Sequence, residues 1–130
     1  MARSGALDRM TWTYHQASGE LRHDGALIAV GYSGRPPYRN VPEADARSCE
    51  GPIPKGRWRM VAVFDSRDHG PYCIRLTAYP DCATHGRDGF LVHGDSSTHP
   101  GYASQGCIIV GRKARESMWQ SEDAELEVVA

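Results

Sequence analysis

Fourteen glycines and eight prolines are spread along the 130-residue chain, so that no apolar run goes far without a turn signal. This punctuation is the strongest constraint on the fold, because a helix needs ten or more uninterrupted residues whereas a strand needs five or six. The opening "MTWTYHQASGELRHDGALIAVGYS" alternates apolar and polar residues around turn signals at Ala17–Glu20 and Asp24-Gly25, which predicts three short antiparallel strands. From Gly34 to Pro54 the residues are Gly, Pro, Arg and Asp without periodicity, the pattern of a long surface loop, and loops of that length tend to carry function. "GPIPKGRWRMVAVF" reads as a turn feeding a strand from Trp58 to Phe64, and "YCIRLTAY" and "GFLVHG" as two more strands. The second is almost wholly apolar, as a central strand buried on both faces is. "GRKARESMWQSED" has a helical stripe at Ala114, Met118 and Trp119, and "AELEVVA" closes as a terminal strand. The expectation is a mainly β fold, a small sandwich or barrel with one helix packed on it.

The length suits one domain, assigned to residues 11–130 behind an N-terminal tail, residues 1–10. Fifteen basic against sixteen acidic residues leave no electrostatic footprint for nucleic acid or an anionic membrane. No run is long enough to span a bilayer, and "MARSGALDRM" lacks the apolar centre of a secretion signal. Synthesis in the cytoplasm without a cleavable leader is therefore expected. Cys49, Cys73, Cys82 and Cys107 form no CxxC pair, so structural zinc has little support. Cys73 and Cys82 flank "CIRLTAYPDC" and are either a disulfide or two free thiols, a choice that requires Cα atoms within about 7 Å.

"FLVHGDSSTHPGYASQGCIIV" carries the chemistry. His93 and Cys107 end and begin two apolar runs and are 14 positions apart, with Gly94, Gly101 and Gly106 between them. A thiol becomes a nucleophile when a nearby base takes its proton, and imidazole is the side chain suited to that near neutral pH. Gly106 lets the backbone turn sharply before Cys107, so that the Gly106 and Cys107 amides could face the oxyanion of an acyl transfer. The same pair also fits a buried inert thiol and a polar strand end. Asp95 is placed to orient His93, to bind a substrate amine or to make a turn. His85, His93 and His99 form a conceivable zinc triad that no motif supports, and no metal or cofactor is expected. His15, His23 and His69 read as surface residues, and Arg112, Lys113 and Arg115 as a solvated helix face. Trp12, Trp58 and Trp119 read as core. Tyr32, Arg35, Tyr38 and Arg39 lie in or beside the long loop, either solvated or available to a carboxylate.

The segment "HGDSSTHPGYASQGC", through His93, Gly94, Ser104, Gly106 and Cys107, resembles a shortened L,D-transpeptidase (YkuD-like) signature. With "GPIPKGRW" at Gly51 to Trp58 and "GCIIV" before an Arg-bearing helix, the chain from about Thr11 to Val129 resembles the type VI secretion L,D-transpeptidase effectors. The resemblance implies a small β-sandwich or barrel with one short helix after the cysteine. It implies that Cys107 attacks a peptide carbonyl, His93 moves the proton, the Gly94 carbonyl orients the imidazole, and Ser104 holds the turn or touches substrate. The substrate it implies is a peptidoglycan stem peptide, cut between the L-centre of a diamino acid and D-alanine. Transfer to water is carboxypeptidase action and transfer to an amine is transpeptidation. Gln105, Asp95, Tyr32 and Arg35 are the candidate substrate contacts. Two positions depart from the family: Gln105 stands where histidine is usual, and Ile109 where many members have arginine, which bears on substrate preference. The resemblance further implies a monomer delivered to the periplasm of a target bacterium, with a cognate immunity protein. The competing readings are a non-catalytic wall-binding β domain and, behind it, a histidine-based zinc hydrolase.

Overall fold

The computed structural model describes residues 11–130; the expected tail, residues 1–10, lies outside the described residues. Along the chain run β1 (Trp12–His15), β2 (Glu20–His23), β3 (Ala26–Val30), β4 (Tyr32–Ser33), β5 (Gly56–Ser66), β6 (Gly70–Ala78), β7 (Leu91–His93), β8 (Ile108–Ile109), α1 (Arg112–Gln120) and β9 (Glu125–Val129). The nine strands form one sheet in the order β3-β2-β1-β9-β5-β6-β7-β8-β4. Its two ends, β3 and β4, are consecutive pieces of chain separated by Gly31, so the sheet curls into a nearly closed barrel. Gly31 is the corner. A Cβ there would collide with the Ile109 carbonyl oxygen, and only glycine lets the backbone leave β2 and approach β8.

Alternation places the core. Trp12 and Tyr14 of β1, Trp58 and Met60 of β5, and Leu126 and Val128 of β9 point inward, while Arg57 and Arg59 point out. Truncating an aromatic such as Trp58, which is 1% exposed, costs about 3–5 kcal/mol. Its indole N–H also donates to the Pro54 carbonyl at 3.1 Å. The helix adds Ala114 and Met118 to the same core, with an Arg112–Glu116 ion pair along its outer side.

Two sequence expectations change and one open choice is decided. The segment from Gly34 to Pro54 is irregular apart from one 3-10 turn at Pro42–Ala44, but its last four residues, Gly51 to Pro54, are buried, with Ile53 fully in the core. Side chains elsewhere satisfy its carbonyls, which is what lets a loop be buried. Cys73 and Cys82 are free thiols, 3.3 Å from the Gly70 carbonyl and 3.5 Å from the Lys55 carbonyl. Arg115 is not on a solvated face: it is buried and donates to the Pro71 and Tyr72 carbonyls at 2.9 and 3.0 Å.

β7 and β8 are parallel, with Val92 opposite Ile108 and His93 opposite Ile109. Parallel neighbours need a long crossover, and residues 94–107 supply it without a helix. Ile74, Val92 and Ile108 form one row facing the core. The adjacent residues His93 and Ile109, with Tyr32 of β4 beyond them, face the other way. Continued one position back, the same register sets Cys107 opposite Leu91, on the same face as His93 and diagonal to it.

Candidate active site

His93 ends β7 and is 2% exposed. Its Nδ1 lies 2.9 Å from the Gly94 carbonyl oxygen. A carbonyl only accepts, so Nδ1 carries the hydrogen and Nε2 holds the lone pair. That Nε2 is buried and has no hydrogen-bond partner among the described residues. Burial pushes the imidazole down to about 4; the Gly94 bond opposes this, and His69 and the Arg115 guanidinium add to it.

Cys107 stands just before β8, half-buried, with Sγ 3.3 Å from the Leu91 amide nitrogen, which donates to it. Burial pushes the thiol up to about 11, while the Leu91 amide and the Arg87 guanidinium pull the other way. At neutral pH the resting pair is therefore thiol and neutral imidazole. Both border a cavity of about 380 Å³, together with Arg87, Phe90, Gln105 and Gly106.

The turn before Cys107 is built by two serines. Ser104 Oγ accepts from the Gly34 and Gly106 amides at 2.9 and 3.0 Å and donates to the Cys107 carbonyl at 2.6 Å. Ser33 Oγ donates to the Gly106 carbonyl at 2.9 Å and accepts from the Ile53 amide at 2.9 Å. The Gly106 amide is thus already bonded to Ser104 and is not free for an oxyanion, contrary to expectation; the Cys107 amide remains. Gly106 itself has φ +142°, and a Cβ on it would lie 2.5 Å from an Arg87 nitrogen and 2.9 Å from the Phe90 ring.

Arg87 is a component the sequence did not reveal. It is 8% exposed and donates to four backbone carbonyls, those of Asp45, Pro52, Gly51 and Gln105. One guanidinium thereby fastens the Gly-Pro-Ile-Pro segment to the residue two before Cys107, with its Cζ 5.1 Å from the centre of the Phe90 ring. No spacing or periodicity in "HGRDGF" signals this. His69 was also missed. Taken as a surface histidine in a turn, it stands over His93 with ring centroids 4.5 Å apart.

The remaining candidates divide. Gln105 is exposed on the cavity wall. Asp95 does not hold His93 Nδ1: it accepts from Tyr32 Oη at 2.6 Å and from the Ser96 and Gly101 amides. Burial works against its charge, but these bonds outweigh it and hold the carboxyl below its ordinary range. Tyr32 also accepts from the Ala103 amide at 2.9 Å, so the pair organises the crossover loop. Burial, then Asp95, raises the phenol to about 12. Arg35 and Asp95 line a second cleft of about 660 Å³ that shares His69, His93, Tyr102 and Ala103 with the first. The three histidines of the zinc reading are not brought together: His85 faces Asp45 at 3.8 Å and His99 bonds Thr98 at 3.1 Å. Among the described residues no group of three or more His, Cys, Asp or Glu could hold a metal ion.

No curated protein matches the chain. The model of one protein family, the Tlde1 domain, matches residues 28–129, a span that runs from β3 to β9 and contains His93, Ser104, Gly106, Cys107 and Arg87. With the match covering well over half of its length, the chain belongs to the Tlde1 domain family, a family of toxic type VI secretion effectors related to peptidoglycan.

Proposed function

We propose that the protein is a cysteine acyl-transfer enzyme acting on peptidoglycan stem tetrapeptides, at the bond between the L-centre of the diamino acid and the terminal D-alanine. The observation that carries this reading is His93: its Nδ1 is fixed on the Gly94 carbonyl and its unpartnered, buried Nε2 shares a cavity with the Cys107 thiol. With Nδ1 held by Gly94, the Nε2 lone pair is the one atom of the ring left to accept a proton, and it borders the cavity that Cys107 borders.

The thiol and the imidazole start neutral. As Sγ bonds to the substrate carbonyl carbon, its proton passes to Nε2, and the Nδ1–H bond to Gly94 steadies the imidazolium that forms. The charge arriving on the carbonyl oxygen is met by the Cys107 amide. His93 then gives its proton to the leaving nitrogen of D-alanine, and a thioester remains on Cys107. Water or an amine attacks the thioester, losing its proton to His93, and the thiol is restored. The second cleft adjoins the Cys107 cavity through His69, His93, Tyr102 and Ala103, which leaves room beside His93 for an acceptor larger than water.

Family membership supports delivery of this domain into the periplasm of a target bacterium, where stem peptides are exposed. The producer would then need an immunity protein that fills the Cys107 cavity of the monomeric toxin. Mass spectrometry of purified muropeptides, incubated with wild type and Cys107→Ala with and without an added D-amino acid, tests the activity. Wild type alone should remove the terminal D-alanine or exchange it for the added amino acid. Muropeptides unchanged by either protein, while both still bind the wall, would establish the non-catalytic binding domain instead.

A further inference from the structure

We propose that His69 is a positioning residue for His93: it roofs the imidazole, and by taking a proton from solvent it shuts off His93 as a base on the acid side. The inference rests on the assignment of His93 as the proton acceptor. His69 sits in the turn between β5 and β6, and its ring meets the His93 ring at 4.5 Å with a tilt of 33°. It borders both the Cys107 cavity and the second cleft.

The turn is held by bonds that do not involve the His69 ring. The His69 amide donates to Ser66 Oγ at 3.1 Å, and the Tyr72 amide donates to Asp65 at 3.1 Å. The buried Cys73 thiol lies 3.3 Å from the Gly70 carbonyl, and Arg115 grips the two carbonyls that follow, of Pro71 and Tyr72. Arg115 also stands against Gly94, where a Cβ would come within 2.9 Å of it, so the residue that orients His93 and the turn that carries His69 share one brace.

The charges facing His93 can be enumerated by element. From the β5–β6 turn come His69 and Asp68, from α1 Arg115, from the crossover loop Asp95, His99 and Tyr102, from the long loop Arg35 and Cys49, from the segment before β7 Arg87 and Asp88, and from beside β8 and within β6 the thiols of Cys107 and Cys73. Asp95 is already bonded to Tyr32, and Arg115 keeps its charge at every working pH. His69 is the exposed imidazole in direct ring contact with His93. A proton on it places a cation against the ring that must itself become an imidazolium during acyl transfer, and like charges at this distance disfavour that.

The test uses the described chain and two readouts, histidine ring titration by NMR and the pH dependence of kcat/KM, in wild type, His69→Phe and His69→Ala. Phenylalanine keeps the roof and removes the charge. The titration of His93 in His69→Phe should move up while the acid limb of kcat/KM moves down, each by about one pH unit. Opposite movement is the signature, since a residue that merely packs would shift both together. In His69→Ala, where the roof is lost as well, His93 should titrate higher still. An unchanged His93 titration in both variants, or an acid limb that tracks His93 in every protein, overturns the proposal. Absence of turnover in all three proteins counts against the enzyme reading, and the His93 titration then decides the coupling by itself.

Discussion

Replacing Arg87 with methionine isolates the clamp under the candidate active site. Methionine keeps an apolar stem against Phe90 and removes every donor, leaving the Asp45, Gly51, Pro52 and Gln105 carbonyls without their partner. A hydrogen bond from a charged donor contributes about 1.5–3 kcal/mol. Four of them outweigh the several kcal/mol that it costs to take a guanidinium out of water, and with each carbonyl left buried without a partner costing about 1–3 kcal/mol, partly regained by relaxation, the net loss is about 3–5 kcal/mol. For a domain of this length the thermal midpoint should drop by about 10–20 °C. Circular dichroism on heating, with urea unfolding at constant m value, measures it. Arg87→Lys should fall between, because an ammonium cannot span four carbonyls held in a fork. The reaction should suffer beyond the stability loss, since the clamp reaches the turn before Cys107 and a misplacement of about 1 Å costs up to about 100-fold. A loss below about 1 kcal/mol for Arg87→Met would refute the reasoning, showing that the carbonyls find water when the guanidinium leaves.

Two further outcomes follow from the same geometry. Gly106→Ala should lose activity even where it folds, because the new methyl must displace Arg87 or Phe90 in a φ region alanine avoids; a fully active variant with unchanged thermal midpoint would show that the turn has room the structure denies. His93 should make the fold acid-sensitive. Its folded-state value of about 4 lies below the ordinary 6.5, so the unfolded chain binds the proton first, and about 2–3 kcal/mol present above pH 6.5 is lost as the pH falls towards 4. Urea unfolding of wild type and His93→Phe between pH 7 and 4.5 reads the difference, and parallel pH dependences would contradict it.

Much of the fold is legible in the chain because strand periodicity is local. Trp12, Tyr14, Trp58, Met60, Leu126 and Val128 announce their inward faces by alternation, and the helix announces itself at Ala114 and Met118. The exceptions have physical causes. Tyr32 and Ser33 read as the end of a third strand, but Gly31 redirects them to β8. The Gly51–Pro54 segment reads as surface because its composition is that of a turn, yet it is buried, since Arg87, Ser33, Gln16 and Trp58 meet its backbone. Arg115 looked solvated because a basic helix face usually is, and His69, exposed as a turn histidine usually is, gave no sign that its ring would meet His93.

The sequence by itself determined the element types, the turn glycine at Gly106, and the placing of one histidine and one cysteine at the two ends of a loop long enough to bring them side by side. Those properties depend on neighbours a few residues away. Only the tertiary structure decided that His93 presents a bare Nε2, that the thiol and imidazole rest neutral, that Ser104 has taken the Gly106 amide, and that Arg87 and His69 stand under and over the site. Proton affinity and hydrogen-bond satisfaction are set by burial and by groups brought from distant parts of the chain, and no local pattern of residue types encodes which of them will meet.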